Sequence, residues 1–499
     1  MDRPRAAHAS CGNLAKMRVM KANGRTLSPT TLVMLFALFQ LVVLTAVPTI
    51  FSSSPPLDAV ESWGWAPHWL LGTYKHPPMP AWLLQAAHSV LPGYIFVSYL
   101  LSQIAVALTY VAVFAIGREM TDERTAAAGA LLSAGSLYFT FLTFEFNHNV
   151  LQMPFWALTI LIFVRLRRQP AATVNWIILG LLVGCGMYVK YSVAVLAIVL
   201  ALAGLFLPGI RRQLAGYRPW LAIAIALLIF LPHVVWLWQN DFQPFAYAAS
   251  RAGGRTGRLQ PLRSTLAQIG DHTPILLLLA GVGLAAIRRT LAQQATEPEA
   301  LRLLRIVTFA PFVLVVVGAT LSGTALRDMW GMPFFTTFGL WLVLEFKCAV
   351  DRPTLVRLLA GAVVLVTITA IAFVGEAIWS RQHKPGRSFW PMQELADKAG
   401  AIWQSETTTP LAIVGGNYWY GGLVSIGRPE RPDVVADDEL AHSPWVTPED
   451  IAGKGMLYLT PAPNEPPASL CANHGPAHEI ILSNAAIPPI SAFVCRPTP

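Results

Sequence analysis

Charge is scarce in this chain of 499 residues. Asp, Glu, Lys and Arg together make up 13% of it, against about 25% in a soluble globular domain, which excludes an ordinary water-soluble fold. Cysteine is scarcer still, at five residues, and no spacing among them resembles a zinc site. No Gly-rich phosphate loop stands anywhere, so nothing points to a bound nucleotide. Internal repeats and low-complexity tracts are missing too. The net charge of +9 would suit nucleic acid in a soluble protein. Here the Lys and Arg sit in short clusters between apolar runs, a pattern of membrane topology instead.

What the chain has in quantity is long apolar runs. They fall at 31–51, 93–116, 125–144, 149–164, 173–189, 192–208, 219–237, 273–287, 306–323, 331–346 and 356–379. They predict a mostly α, polytopic transmembrane helical bundle of about 11 spans, within a range of roughly 10 to 13. Residues 1–30 are basic and polar and are expected to form a cytoplasmic N-terminal segment. The run that follows is too long for a signal peptide and shows no A-x-A-like site, so it reads as an uncleaved first span. With that orientation the inside connections carry Arg118 and Arg124, then Arg165, Arg167 and Arg168, then Arg211, Arg212 and Arg218. Arg288, Arg289, Arg302 and Arg305 follow, and then Lys347, Arg352 and Arg357. The alternation needs no forced flip. Residues 31–379 are thus a membrane domain, with outer loops at 52–92 and 238–272. The Pro-rich tail 380–499, with β-like pieces LAIVGG, MLYLT and EIIL, is expected to be a small periplasmic α/β or α+β domain. Cys471 and Cys495 fall in it, and either a disulfide or two free thiols fits.

Several polar residues sit where topology alone would not keep them. In the outer loop, Asp58 and Glu61 are three apart, so a helical turn would turn both toward one cavity. Partial desolvation there would raise a carboxylate's pKa and make it a better base; acids at the water boundary are the plainer account. Trp63, Trp65, Trp69 and Trp82 suit an interfacial helix, with sugar stacking as the sharper use. Lys75-His76-Pro77-Pro78 holds a Lys and a His on stiffened, extended backbone, where a phosphate contact is natural. Glu145, Asn147, His148 and Asn149 form a second outer cluster, and capping of the next helix by an Asn is its plainer reading. Lys190 and Tyr191 lie between two apolar runs, where a charge either snorkels or functions. Arg251, Arg255, Arg258 and Arg263 make loop 238–272 basic on the outer side, as does Arg327 in its own connection. Lipid head groups or a specific anionic ligand would account for them.

The string Asp58…Trp63-Gly64-Trp65…Gly72-Thr73-Tyr74-Lys75-His76-Pro77-Pro78…Ala81-Trp82 resembles the first outer loop of bacterial family 39 glycosyltransferases. That group includes rhizobial lipid A galacturonosyltransferase-like proteins, with the aminoarabinose transferase of lipid A and protein O-mannosyltransferases as more distant relatives. Glu145-Phe146-Asn147-His148-Asn149, Val189-Lys190-Tyr191-Ser192, Pro232-His233-Val234-Val235-Trp236 and Arg327-Asp328-Met329-Trp330-Gly331 extend the resemblance over roughly residues 30–345. It implies the C-type glycosyltransferase fold, a multi-pass protein of the cell inner membrane with its active site facing the periplasm. The bundle would hold an outer-leaflet cavity for a polyprenyl-phosphate sugar donor.

The resemblance implies Asp58 as the base for an inverting transfer to a lipid A, glycan or protein acceptor, with Glu61 beside it. The donor phosphate would meet Lys75, His76, Lys190, Arg251, Arg255 and Arg327. The substrate cavity would hold Glu145, Asn147, His148, Asn149, Tyr191 and Trp330. Two departures stand out. Ala59 occupies a place where many relatives carry an acid, and Asn147 and Asn149 stand where a second acid is common. No cofactor is therefore certain, no metal ligand is assigned, and a divalent metal is left open. The alternative from another class is a transporter or flippase of lipid-linked sugar, and a third is a scaffold whose tail binds a partner.

Overall fold

The structure, a computed structural model, describes residues 27–252, 260–282, 297–348 and 350–497. In chain order its helices begin with α1 (Pro29–Phe51), α2 (Leu57–Trp65), α3 (Met79–His88), α4 (Tyr94–Arg118), α5 (Glu123–Leu132) and α6 (His148–Arg168). They continue with α7 (Thr173–Met187), α8 (Val193–Phe206), α9 (Pro208–Gln213), α10 (Arg218–Gln239) and α11 (Gln243–Ala252). Next come α12 (Gln260–Asp271), α13 (Pro274–Val282), α14 (Pro298–Ser322), α15 (Phe338–Glu345) and α16 (Arg352–Trp379). Among the described residues six, α1, α4, α6, α10, α14 and α16, are long and apolar enough to cross a membrane. The apolar helices α7 and α8 are shorter. Helix α7 lies close on α10: a Cβ on Gly180 would stand 2.5 Å from the Ala222 carbonyl oxygen, and one on Gly184 would stand 3.0 Å from that of Ala226. Small residues four apart let two backbones approach where lipid offers no hydrophobic drive.

Helix starts are set by capping. Ser28, Asp122 and Asp351 accept first-turn N–H groups of α1, α5 and α16, and Pro follows the cap directly in α1. Arg165 and Arg168 pair with Glu119 at 2.9 and 3.3 Å, Arg167 with Glu297 at 2.7 Å, and Arg305 with Glu345 at 2.7 Å. These pairs link connections that the positive-inside pattern puts on one side, so the charges gather at one end of the bundle.

Two apolar runs expected to be single spans are not single straight helices. The run 125–144 is broken at Ser136, where the chain turns by 94° between Glu123–Gly135 and Leu137–Phe144. Backbone groups freed by such a break must find partners within a bilayer. Gln40 Nε2 donates to the Phe139 carbonyl at 2.5 Å, Ser102 Oγ donates to the Thr143 carbonyl at 2.5 Å, and Gln103 Nε2 donates to Thr143 Oγ1 at 2.9 Å. Buried polar side chains of α1 and α4 thus hold the bend. The run 331–346 contributes only the eight-residue α15, after a single tight turn at Asp328–Gly331. The run 273–287 lies partly outside the described residues.

Beyond α16 the chain builds a separate layer. It runs α17 (Met392–Glu406), β1 (Ile413–Gly416), α18 (Tyr418–Gly427), β2 (Asp433–Val434), α19 (Pro448–Lys454), β3 (Met456–Pro461), β4 (His478–Ile480) and β5 (Ile490–Cys495). The sheet order is β2-β1-β3-β5-β4; β1 lies parallel to β2 and β3, while β5 is antiparallel to β3 and β4. Cys471 and Cys495 are joined as a disulfide, which decides between the two outcomes the sequence left open.

This layer does not hang free. Val60, Trp63 and Trp65 of α2 share one apolar core with Trp390, Leu395, Trp403, Trp419 and Leu423. Arg431 donates to the Trp63 carbonyl at 2.8 Å, and the Trp63 indole N–H donates to Ser98 Oγ at 3.0 Å. Trp63 and Trp65 are 0% and 4% exposed, so the expectation of an interfacial anchor fails for both. They bury apolar area against protein instead of lipid head groups. Trp69, at 54%, is exposed.

Candidate active site

A cavity of about 730 Å³ opens at the end of the bundle that faces the sheet layer. Its acids come from two places. The first is α2, which starts after Pro55-Pro56 and carries Asp58 in its first turn. The second is the short segment released by the 94° bend, which delivers Glu145 and, at the cap of α6, Asn147. Asn147 Nδ2 donates to Asp58 Oδ2 at 3.0 Å while its Oδ1 accepts the N–H groups of Asn149 and Val150 at 2.9 and 3.1 Å. Asn147 is therefore both a helix cap and a partner of Asp58, which joins the two readings of that residue. The Asp58 N–H donates to Glu145 Oε1 at 2.9 Å, so two carboxyl groups are held together.

Burial pushes the Asp58 carboxyl above its ordinary value, despite the Asn147 hydrogen bond and the fields of Lys75, Lys190 and Arg327. Glu145 is pushed up to about 8, by burial first and then by the Asp58 charge. Two carboxyl groups this close in a buried site resist carrying two charges, so they titrate as a pair.

Glu61 does not line the cavity as its spacing from Asp58 suggested. It makes a buried ion pair with Lys75, and burial lifts its carboxyl to about 7. The Lys75 ammonium is also ringed by aromatic faces, with centroids of Tyr418, Tyr74 and Tyr247 at 4.7, 5.1 and 5.3 Å. The His76 and His148 rings meet at a tilt of 44° with centroids 4.3 Å apart, and His148 Nε2–H donates to the Pro77 carbonyl at 3.0 Å. Burial holds His76 below its ordinary value, so it is neutral. Lys190 donates to Asn149 Oδ1 and stands 5.5 Å from the Trp330 ring centroid. Tyr191 donates its hydroxyl to His233 Nε2 at 2.8 Å, and His233 Nδ1–H donates to the Leu71 carbonyl at 2.6 Å. The turn carrying Arg327 and Trp330 is pinned by Tyr138 and Gln268, which donate to the Asp328 carbonyl at 2.7 and 3.1 Å.

The cavity wall thus brings together Asp58, Lys75, His76, Glu145, Asn147, His148, Asn149, Lys190, Tyr191, Arg327 and Trp330. Arg255 and the side chain of Arg251 lie outside the described residues. Among the described residues no cluster of three or more His, Cys, Asp or Glu is arranged to hold a metal ion. Sequence reasoning missed Tyr247, Glu376 and Arg387, which also line the cavity, and Tyr418. One signal was available: Arg381, Lys384 and Arg387 follow the outer end of a span, where basic residues are unusual.

Residues 75–236 match the family model described as dolichyl-phosphate-mannose-protein mannosyltransferase. The lipopolysaccharide core galacturonosyltransferases RgtA and RgtB of Rhizobium johnstonii are similar to this chain. RgtA is 23% identical over 78% of the chain and 79% of the relative, and RgtB 25% identical over 77% and 79%. In fold the chain is similar to ArnT from Cupriavidus metallidurans bound to undecaprenyl phosphate, at TM-score 0.61 and 14% identity, covering 92% of this chain and 97% of that one. The same protein in the apo state matches at TM-score 0.59 and 13% identity, over 93% and 98%.

Proposed function

We propose that this chain, which is a membrane glycosyltransferase of the C-type fold, moves a sugar from a polyprenyl-phosphate donor to an envelope acceptor on the outer face of the cytoplasmic membrane. The transferase relatives favour transfer over the transporter and scaffold alternatives. The galacturonosyltransferase names of the two curated relatives favour a uronic acid as the sugar and a lipopolysaccharide core as the acceptor.

One observation carries the reading. A desolvated carboxylate, Asp58, shares a cavity with Lys75, Lys190 and Arg327. Asp58 takes the proton of the acceptor hydroxyl, whose oxygen attacks the anomeric carbon. The bond from that carbon to the phosphate oxygen breaks, and polyprenyl phosphate leaves with the electron pair. Attack opposite the leaving group inverts the anomeric centre. Lys190 and Arg327 offset the growing phosphate charge. Lys75 adds to this, and Glu61 positions it. If a divalent ion takes part, Asp58, Glu145 and Glu376 are the acids of the cavity wall that would hold it.

The test is transfer in proteoliposomes from undecaprenyl-phosphate galacturonate to lipopolysaccharide core lipid, read by mass spectrometry. Asp58→Asn is expected to lower kcat by roughly 10²- to 10⁴-fold at unchanged protein level, the range for loss of a general base. Full activity in that variant would refute the assignment of the base. Glu61→Gln is expected to act mainly through donor KM.

A further inference from the structure

The cavity cations are not equivalent. Lys75 is paired with Glu61, and Lys190 is held by Asn149 within the field of Asp58. Arg327 and Arg387 also line the cavity, and neither makes an ion pair among the described residues. Arg327 acts on Asp58, and Arg387 on Glu145 and Tyr418. A phosphodiester donor carrying a neutral sugar brings one negative charge to this site. A uronic acid brings a second.

Arg387 is built into place. It opens the short turn Arg387–Phe389, whose backbone is tied to the residues just before α2. Ser54 Oγ donates to the Arg387 carbonyl at 2.7 Å, and the Ser53 and Ser54 N–H groups donate to the Ser388 carbonyl at 2.9 and 3.2 Å. The turn therefore keeps fixed register with the strand of chain that presents Asp58. The guanidinium lies 4.6 Å from the Trp419 ring centroid and 5.9 Å from that of Trp390. Aromatic support holds a planar fork while leaving its N–H edge free, the arrangement that accepts a carboxylate in bidentate fashion. Glu145 makes no ion pair with Arg387 among the described residues, and burial raises its carboxyl and so disfavours its charge. Glu376 lines the same cavity without an ion pair to Arg387.

We propose that Arg387, backed by Trp419, is the specificity residue that reads the carboxylate of the transferred sugar. This assignment rests on the transfer reading above. It makes the C-terminal layer part of donor selection, since Trp419 belongs to α18.

The test compares two donors that differ only at C6, undecaprenyl-phosphate galacturonate and undecaprenyl-phosphate galactose, with one lipopolysaccharide core acceptor. Wild-type protein is expected to prefer the uronate. Arg387→Gln is expected to lose roughly 10- to 100-fold in kcat/KM on the uronate, mainly through KM, as for a lost charge-assisted hydrogen bond. The same variant should lose less on the neutral donor, so that the ratio of kcat/KM for uronate over neutral sugar falls by roughly 10-fold, because no bond to the neutral sugar is removed. Arg387→Lys should recover part of the loss. Equal use of both donors by wild-type protein, or an equal loss on both in Arg387→Gln, overturns the carboxylate assignment while leaving transfer intact. Failure of wild-type protein to use either donor overturns the transfer reading, and this assignment with it.

Discussion

Lys190 is under two opposed influences: burial lowers its pKa to about 8, while the Asp58 carboxylate holds it up. A cation with that pKa loses its charge as pH rises through about 8, and donor phosphate is then held less well. Asp58 must be unprotonated to act, and its pKa is raised, so activity is lost on acidification at a higher pH than for an ordinary Asp. Donor turnover is therefore expected to be bell-shaped in pH, with an alkaline limb near 8 in kcat/KM. Lys190→Arg keeps the charge at high pH and should move that limb upward by at least about one pH unit. An unmoved limb would mean that another group titrates. Asp58, Lys75, Asn147, Lys190 and Arg327 were legible because a polar residue at the edge of an apolar run costs free energy to keep there. Tyr247 and Tyr418 were not: an aromatic residue in an aromatic-rich chain carries no mark of what it faces until distant segments are packed together.

At the scale of elements, composition reported apolar length well and direction badly. Residues 125–144 are apolar enough for a span, yet a 94° bend breaks them, and the segment after it brings Glu145 and Asn147 to the cavity. Gln40, Ser102 and Gln103, buried in α1 and α4, were the available sign of it, since such side chains inside spans exist to satisfy someone else's backbone. The contact of α2 with α18 was equally hidden, because Trp-rich segments suit a lipid interface and a protein core alike. That contact is tight: a Cβ on Gly422 would stand 2.5 Å from Val60 Cγ1. Gly422→Ala is expected to destabilise the protein by about 1–3 kcal/mol through overpacking, read as thermal unfolding in detergent. Gly453→Ala, where a Cβ would meet nothing within 4 Å, serves as the control and should be neutral or slightly stabilising. Equal behaviour of the two variants would argue against a close α2–α18 contact.

For the whole molecule, we propose a single orientation with the cavity and the sheet layer outside, on the charge pattern of the connections and the ion pairs at one end of the bundle. In a background lacking Cys11, Cys185 and Cys348, a Ser405→Cys variant should react with a membrane-impermeant maleimide in intact spheroplasts. Arg212→Cys should react only after permeabilisation, and the reverse pattern would invert the topology. The helical class and the small terminal domain were readable from composition, whereas the dependence of one on the other was not. The shared core of α2 with α17 and α18 also bears on how the protein is made. The helix that carries Asp58 is among the first parts to leave the ribosome, yet the side chains that bury Trp63 and Val60 come from the last quarter of the chain. A nascent or truncated molecule can insert its spans and still lack a settled position for Asp58, the base proposed above. On that reading, competence is deferred until the C-terminal layer has been made and has packed on α2.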